Sequence, residues 1–131
     1  MEKKKVLLVD DELDILKSVG MRLKSEGYEV VTASDGVAAT QLALRELPDL
    51  IILDIGMPAG DGHTVMHRIK NNANTAGIPV IFLTARSGEM DMERAGDAGA
   101  AGYVTKPFNS QYLMALVKKA LFGVDLAPPE S

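Results

Sequence analysis

Side chains that could bind a metal ion or act as a nucleophile follow four short apolar runs of the sequence, each where the run ends. In chain order these groups are the pair Asp10-Asp11, then Asp54, Thr84 and Lys106. A carboxylate in such a position can be a ligand or a nucleophile, and the neighbouring strand ends decide which. One apolar run that ends in an acid is common. Four runs that end in an acid pair, an acid, a hydroxyl and a lysine indicate one convergent pocket.

The apolar runs themselves are typical of strands in a parallel sheet. Leu50–Leu53 has no polar alternation, which indicates a strand covered on both faces. The other strand-like runs are Val6–Val9, Tyr28–Ala33, Val80–Leu83 and Ala101–Val104. They alternate with helical patterns, and this alternation predicts an α/β fold. Ligands of such sheets bind at the carboxyl ends of the strands, where the polar groups lie.

The spacing of apolar residues predicts helices between the strands. The first helix carries Leu16, Val19 and Leu23 on one stripe and should stop at Gly27. The other predicted helices follow Asp35-Gly36, enter through Asp61-Gly62, cover Met90–Ala98, and begin after an N-cap at Asn109. Glycines around the Met90–Ala98 helix predict that it is short and mobile.

Length and composition limit the classes of protein that fit. The 131 residues suit one domain, predicted over residues 1–122, with residues 123–131 as a flexible tail or linker stub. The absence of cysteine excludes thiolate chemistry and favours a reducing, cytoplasmic location. No apolar run after the charged N-terminus is long enough for a signal peptide or a membrane span. A net charge of -4 argues against direct binding of nucleic acid.

Over nearly its whole length the chain resembles the receiver domain of two-component response regulators. The motifs that carry the resemblance are Val9-Asp10-Asp11-Glu12, Asp54-Ile55-Gly56-Met57-Pro58 leading to Asp61-Gly62, Thr84-Ala85, and Tyr103-Val104-Thr105-Lys106-Pro107-Phe108. The resemblance implies a flavodoxin-like, doubly wound, five-stranded parallel sheet of order 2-1-3-4-5 with five helices. In this order the first and third strands are neighbours, which would bring the aspartates together.

The resemblance also implies a role for each site residue. Asp54 would be the phosphorylation site, and Mg²⁺, with Mn²⁺ as an alternative, would be bound by Asp11 and Asp54 directly, by Asp10 through water and by the Gly56 carbonyl. Lys106 would supply a fixed cation to the phosphoryl group. Thr84 would move toward the acylphosphate, and Tyr103 would swing inward behind it. Two departures from the family, Gly56 and Arg86, occupy positions that tune phosphate lifetime. The sequence leaves open whether Arg86 attracts an anionic donor or extends into solvent.

The function implied by the resemblance is a phosphoacceptor switch. A phosphohistidine of a sensor histidine kinase or phosphotransfer protein would phosphorylate Asp54, and the acylphosphate would shift the face made by the fourth helix, fifth strand and last helix. That face would signal to an effector protein or to an output domain absent from this chain. The chain would catalyse only its own phosphorylation and dephosphorylation, so it is not expected to be a conventional enzyme. Gly99–Tyr103 lacks the acid typical of dimeric DNA-binding regulators and is more similar to chemotaxis regulators, which predicts a monomer or a weak phosphorylation-dependent dimer.

Other classes of protein fit the same residues less well. A haloacid dehalogenase-type phosphatase needs a second acid two residues after its nucleophile, where this chain has Gly56. A flavodoxin would place a phosphate beside Asp10-Asp11, which would repel it, and a degenerate receiver would lack part of the residue set. Asp61 is interpreted as a helix cap, His63 and His67 as a solvated pair outside the site, and the Lys106-Pro107 bond as cis.

Overall fold

The computed structural model describes residues 3–58, 61–84 and 100–123, which contain a five-stranded parallel sheet. The strands are β1 (Lys5–Val9), β2 (Glu29–Ala33), β3 (Leu50–Asp54), β4 (Val80–Thr84) and β5 (Gly102–Thr105). Their order is β2-β1-β3-β4-β5, so the predicted order 2-1-3-4-5 is confirmed. All four pairings are parallel.

Four helices lie in the described part of the chain: α1 (Leu13–Ser25), α2 (Gly36–Glu46), α3 (Asp61–Lys70) and α4 (Ser110–Phe122). Of these, the longest have 13 residues, and none has the length and apolar character needed to cross a bilayer. The predicted fourth helix, over 90–98, falls outside the described residues, as does the predicted tail apart from Gly123.

Among the described residues, α1 and α4 pack on one face of the sheet and α2 and α3 on the other, as expected for a doubly wound fold. On one face, Val6 and Leu8 of β1 belong to a cluster with α1 and α4 residues such as Leu23 and Leu113. Alternate residues of the same strand, Leu7 and Val9, belong to the opposite cluster, which contains buried residues of α2 and α3. Burying one large aliphatic side chain contributes about 1.5–3 kcal/mol, so the two clusters fix the sheet between its helices.

The helix ends agree with the signals in the sequence. Asn109 Oδ1 accepts hydrogen bonds from the backbone N–H of Gln111 at 2.8 Å and of Tyr112 at 3.2 Å, which confirms its role as the N-cap of α4. Gly27, with φ 96°, follows the end of α1, where a side chain would disfavour this left-handed backbone. Gly27 therefore marks the end of α1 before β2, and Asn109 marks the start of α4 after β5.

Helix α3 packs directly against the backbone at the end of β3, and Gly62 permits this contact. A Cβ added at Gly62 would lie 2.5 Å from the Asp54 carbonyl oxygen and 2.5 Å from the Ile55 Cα. Backbone atoms cannot move aside as a flexible side chain can, so a larger residue at this position would displace the helix or the segment after β3. The sequence indicated Gly62 only as part of a helix entrance.

We predict that Gly62→Ala destabilises the protein, whereas Gly20→Ala in α1 does not. The Gly62 substitution should lower the free energy of unfolding by about 1–3 kcal/mol, because its methyl group overlaps backbone atoms. Gly20 is the matched control: its added Cβ would have no atom within 4 Å, so alanine should raise stability by about 0.5–1 kcal/mol through helix propensity. Urea unfolding of both variants provides the measurement. Equal effects at the two positions would contradict the steric explanation.

Candidate functional site

The parallel register brings the predicted site residues to one edge of the sheet. Asp54 ends β3 and Thr84 ends β4, while Asp10 directly follows β1. Val9 is level with Leu53 in the β1–β3 pairing, so Asp10 and Asp54 leave adjacent strands at the same height. On the other side, the backbone N–H of Lys106 donates to the Thr84 carbonyl, with 2.6 Å between nitrogen and oxygen. Residues from four strand ends therefore converge, as their positions after apolar runs indicated.

Lys106 lies at the centre of this convergence. Its Nζ is 2.7 Å from Asp10 Oδ2, 3.3 Å from Asp54 Oδ2 and 3.5 Å from Glu12 Oε2. The Lys106 side chain is only 10% exposed. Burial by itself lowers the pKa of Lys106, but the carboxylates of Asp10 and Asp54 outweigh burial, and the pKa is raised above its ordinary value. The ammonium is therefore charged at neutral pH and holds the ends of β1, β3 and β5 together.

Asp10 is the most deeply buried acid of the site, with no exposed surface. Its Oδ1 accepts a hydrogen bond from the backbone N–H of Glu12 at 2.8 Å. Its Oδ2 has no hydrogen-bond partner among the described residues, although the Lys106 ammonium lies beside it. Burial, followed by the negative charge of Asp54, raises the pKa of Asp10, and the contacts with Lys106 and the Glu12 N–H only partly offset this rise. The ionised form of Asp10 is thus short of stabilising partners.

Asp54 is held by both of its carboxylate oxygens. Oδ1 accepts a hydrogen bond from the backbone N–H of Gly56 at 2.8 Å, and Oδ2 receives one from Lys106 Nζ at 3.3 Å. The Asp54 side chain is nearly buried, whereas Gly56 is exposed. A Cβ at position 56 would lie 3.3 Å from Asp54 Oδ1, so the glycine leaves that side of the carboxylate uncrowded. The carboxylate is oriented at the strand end without being closed off from the loop.

Three carboxylates of the site could share a metal ion. Asp10, Asp11 and Asp54 each offer a ligand oxygen, and these oxygens lie within 4.8 Å of one another. Asp11 is exposed, so the group opens to solvent on one side. An all-oxygen set of this kind suits a hard divalent cation such as Mg²⁺. Asp10 fits the same interpretation, because its buried carboxylate keeps a raised pKa although Lys106 Nζ lies 2.7 Å from Oδ2, and a second cation would stabilise the ionised form further.

The remaining predicted residues lie in different surroundings. Tyr103 on β5 is partly buried against the core cluster formed with α2 and α3. Arg86 lies outside the described residues. His63 and His67 belong to no metal-binding group within the described ranges, and exposed His67 lies beside Asn71. The Lys106-Pro107 bond is cis, which confirms the prediction.

Two contacts of the site region were not expected from the sequence. The sequence predicts that Asp61 caps its own helix, α3. In the structure its carboxylate instead accepts a hydrogen bond, at 3.3 Å, from the backbone N–H of Gly36 at the start of the neighbouring helix α2. Glu12 belongs to the acidic motif after β1, where a helix N-terminus favours acids, yet its carboxylate reaches Lys106 and makes no capping hydrogen bond. No local signal predicts either contact, because the partners are 25 and 94 residues apart in the sequence.

Comparison with known proteins gives matches over most of the chain. The family model for the response regulator receiver domain matches residues 6–118. The chain is 39% identical over 124 residues to the DNA-binding dual master transcriptional regulator RpaA of Synechocystis sp., which covers 95% of this chain and 52% of RpaA. The chain spans 25% to 52% of the length of such curated relatives, with the regulator PleD of Caulobacter vibrioides at the lower limit.

Solved structures match the fold closely. The chemotaxis protein CheY4 of Vibrio cholerae superposes with a TM-score of 0.85 at 32% identity, over 92% of this chain and all 100% of that one. The receiver domain of the sensor histidine kinase PA1611 of Pseudomonas aeruginosa gives a TM-score of 0.83 at 30% identity, over 92% of this chain and 98% of that one. The latter structure has a magnesium ion coordinated in its active site cleft.

The raised pKa of Asp10 predicts a pH-dependent difference in stability between the wild-type protein and Asp10→Asn in metal-free buffer. Folding favours the protonated form of a carboxyl group whose folded pKa exceeds its ordinary value of 3.8. Ionised Asp10 therefore lowers the free energy of unfolding of the wild type. This destabilisation is absent below pH 3.8, grows as the pH rises from 3.8 to the pKa of the folded state, and is constant at higher pH. The free energy of unfolding of Asp10→Asn minus that of the wild type should increase across this window. Urea unfolding at several pH values in the presence of a chelator measures the difference, and a decrease with rising pH would contradict the prediction.

Proposed function

The chain belongs to the family of response regulator receiver domains, and we therefore propose that it is a phosphoacceptor switch. Asp54 would receive a phosphoryl group from the phosphohistidine of a sensor histidine kinase or a phosphotransfer protein. The observation that carries this proposal is the Asp54 carboxylate, oriented by the Gly56 N–H and Lys106 at the end of the central strand β3. In a two-component system the donor is a protein, and the acceptor must therefore stand at an accessible edge. The exposed positions of Asp11, Glu12 and Gly56 leave such an opening beside Asp54.

In the proposed transfer, an Asp54 carboxylate oxygen attacks the phosphorus of the phosphohistidine. The new phosphorus–oxygen bond forms as the phosphorus–nitrogen bond breaks, and the electron pair of the broken bond stays on the imidazole nitrogen of the donor. Hydrolysis reverses the modification, because water attacks the same phosphorus and releases phosphate from Asp54. The protein would therefore catalyse its own modification and its removal, and it would not act as a turnover enzyme on a separate substrate.

We propose Mg²⁺ as the cofactor, with Mn²⁺ as an alternative. Asp11 and Asp54 would hold it directly, Asp10 through water and Gly56 through its carbonyl oxygen, and the three clustered carboxylates support this assignment. When bound, the ion supplies positive charge that offsets the repulsion between the phosphoryl group and the acidic site. Lys106 is the protein's own contribution to the same task, since its ammonium already lies 3.3 Å from Asp54 Oδ2.

The proposed response to phosphorylation begins at Thr84 and passes to Tyr103. Thr84 is buried at the end of β4, next to the strand that carries Tyr103. Its hydroxyl could approach a phosphoryl oxygen on Asp54, and Tyr103 would then turn inward. The output would be the face made by the predicted helix over 90–98, β5 and α4. The lifetime roles of Gly56 and Arg86 belong to the same proposal.

The proposed partners are a phosphodonor and a receiver of the signal. The signal would pass to an effector protein or to an output domain. We do not propose direct contact with nucleic acid, because the chain has a net charge of -4. The protein would act as a monomer or as a weak dimer that depends on phosphorylation.

The first test is whether Asp54 accepts a phosphoryl group in the presence of Mg²⁺. Incubation with acetyl phosphate should add the mass of one phosphoryl group, and both a chelator and Asp54→Asn should abolish the addition. Asp49→Asn is a matched control, because Asp49 directly precedes β3 and thus lies at the end of the strand away from the site. There its carboxylate accepts a hydrogen bond from the Lys5 N–H. This control should be labelled like the wild type. Persistent labelling of Asp54→Asn would refute the assignment.

A second test separates acceptance of the phosphoryl group from the response to it. Thr84→Ala should still be labelled on Asp54, since the attacking carboxylate and Lys106 remain, but it should lose the conformational change at Tyr103. Amide hydrogen exchange of β5, measured with and without beryllofluoride as a phosphoryl mimic, reports that change. Thr84→Ser keeps the hydroxyl and should restore the response. Loss of labelling in Thr84→Ala would show that the two steps are not separable at this residue.

A further inference from the structure

Glu12 supplies Lys106 with a carboxylate that lies outside the shared metal-binding group. The Lys106 ammonium has Asp10, Asp54 and Glu12 around it, at 2.7, 3.3 and 3.5 Å. Within the described part of the chain, the carboxylates that could share a metal ion are those of Asp10, Asp11 and Asp54, and Glu12 is not among them. A cation bound by that group would offset the charges of Asp10 and Asp54. The charge of Glu12 would remain available to Lys106.

We infer that Glu12 is a positioning residue that holds Lys106 in a resting arrangement and thereby slows phosphorylation of Asp54 by small anionic donors. This inference rests on the proposed function. The ammonium group of Lys106 donates to Asp54 and to Glu12 and also lies 2.7 Å from Asp10 Oδ2. An incoming phosphoryl group must therefore compete with three carboxylates for it. The contact with Glu12 is the longest of the three and the most exposed. It is therefore the contact that Lys106 gives up.

The surroundings of Glu12 allow this exchange. Its side chain is 57% exposed, whereas that of Lys106 is 10% exposed. Both residues line an open groove of about 510 Å³, together with Ile15, Pro107 and Phe108. Glu12 can rotate into this groove without disturbing the core, while the buried Asp10 cannot. Glu12 is thus an adjustable counter-ion at the entrance, and Asp10 is a fixed one inside.

The strength of the contact sets the size of the expected effect. Exposed ion pairs contribute between about 0.2 and 1 kcal/mol, which corresponds to a change of up to about fivefold in a rate or an equilibrium constant. A small effect of this kind would tune the reactivity of the site without abolishing it.

Glu12→Gln removes the charge with little other disturbance. Glu12 is the N-cap residue of α1, but its side chain makes no capping hydrogen bond. Its backbone N–H, which donates to Asp10 Oδ1, is unchanged by the substitution. Asp14→Asn is a matched control, because Asp14 is an exposed acid in the first turn of the same helix and its loss changes the net charge equally.

The kinetic experiment times labelling by acetyl phosphate at saturating Mg²⁺ in the wild type, Glu12→Gln and Asp14→Asn. Glu12→Gln should be labelled about two- to fivefold faster than the wild type, and Asp14→Asn at the wild-type rate. The same Glu12 substitution is then made in Lys106→Ala, where it should give no acceleration, because the residue that it positions is gone. Equal acceleration with and without Lys106, or by Asp14→Asn, would overturn the inference in favour of general repulsion of the donor.

A second readout does not depend on phosphorylation. The ¹³C resonance of the Lys106 Cε, measured by NMR in metal-free protein, should move in Glu12→Gln and stay in place in Asp14→Asn. If the Lys106→Ala proteins label too slowly to time, an unmoved Lys106 signal in Glu12→Gln overturns the inference by itself. Absence of labelling in the wild type would instead reject the proposed function, and the NMR comparison would still decide whether Glu12 positions Lys106.

Discussion

The contact on which this site depends is the one between the buried Lys106 ammonium and the carboxylates of Asp10 and Asp54. Two acids at the ends of adjacent strands repel each other, and burial makes the ionised form of Asp10 more costly. Lys106, which directly follows β5, offsets part of that cost, because its Nζ lies 2.7 Å from Asp10 Oδ2 and 3.3 Å from Asp54 Oδ2. It can do so because β4 and β5 place its backbone against the Thr84 carbonyl. The ion contacts thus join residues from three separate parts of the chain.

The compensation is incomplete, and this incompleteness explains the chemistry proposed for the site. The pKa of Asp10 remains raised despite its contact with Lys106, and one of its oxygens lacks a hydrogen bond among the described residues. An excess of clustered negative charge favours a divalent cation. In the proposed function, a bound cation would allow the same pocket to receive a phosphoryl group that it would otherwise repel. Glu12 contacts Lys106 at a longer distance, 3.5 Å. In the inference drawn above, a change at Glu12 therefore alters how readily the Lys106 ammonium binds an incoming anion.

The scaffold around the site divides into rigid and adjustable parts. Asp54 stands on a strand whose residues are all buried, and α3 packs on the backbone just after it through Gly62. Asp11 and Glu12 are exposed and belong to the segment between β1 and α1. A buried Asp54 beside exposed acids is consistent with the proposed exchange of a phosphoryl group with a donor protein. Membership of the receiver family agrees with this arrangement.

The strands, their parallel arrangement and the edge at which the polar groups meet could all be predicted from the amino-acid sequence. Apolar runs without alternation indicate buried parallel strands, and the carboxyl ends of such strands share one edge. Local signals also located helix ends, as at Gly27 and Asn109, because capping depends on residues close in the sequence. Three contacts are evident only in the folded protein: Glu12 reaches Lys106, Asp61 binds the start of α2, and Gly62 packs against the backbone after β3. Those contacts join distant residues or depend on how closely a helix approaches a strand. Periodicity along the chain carries no information about such distances, since packing of the whole domain sets them.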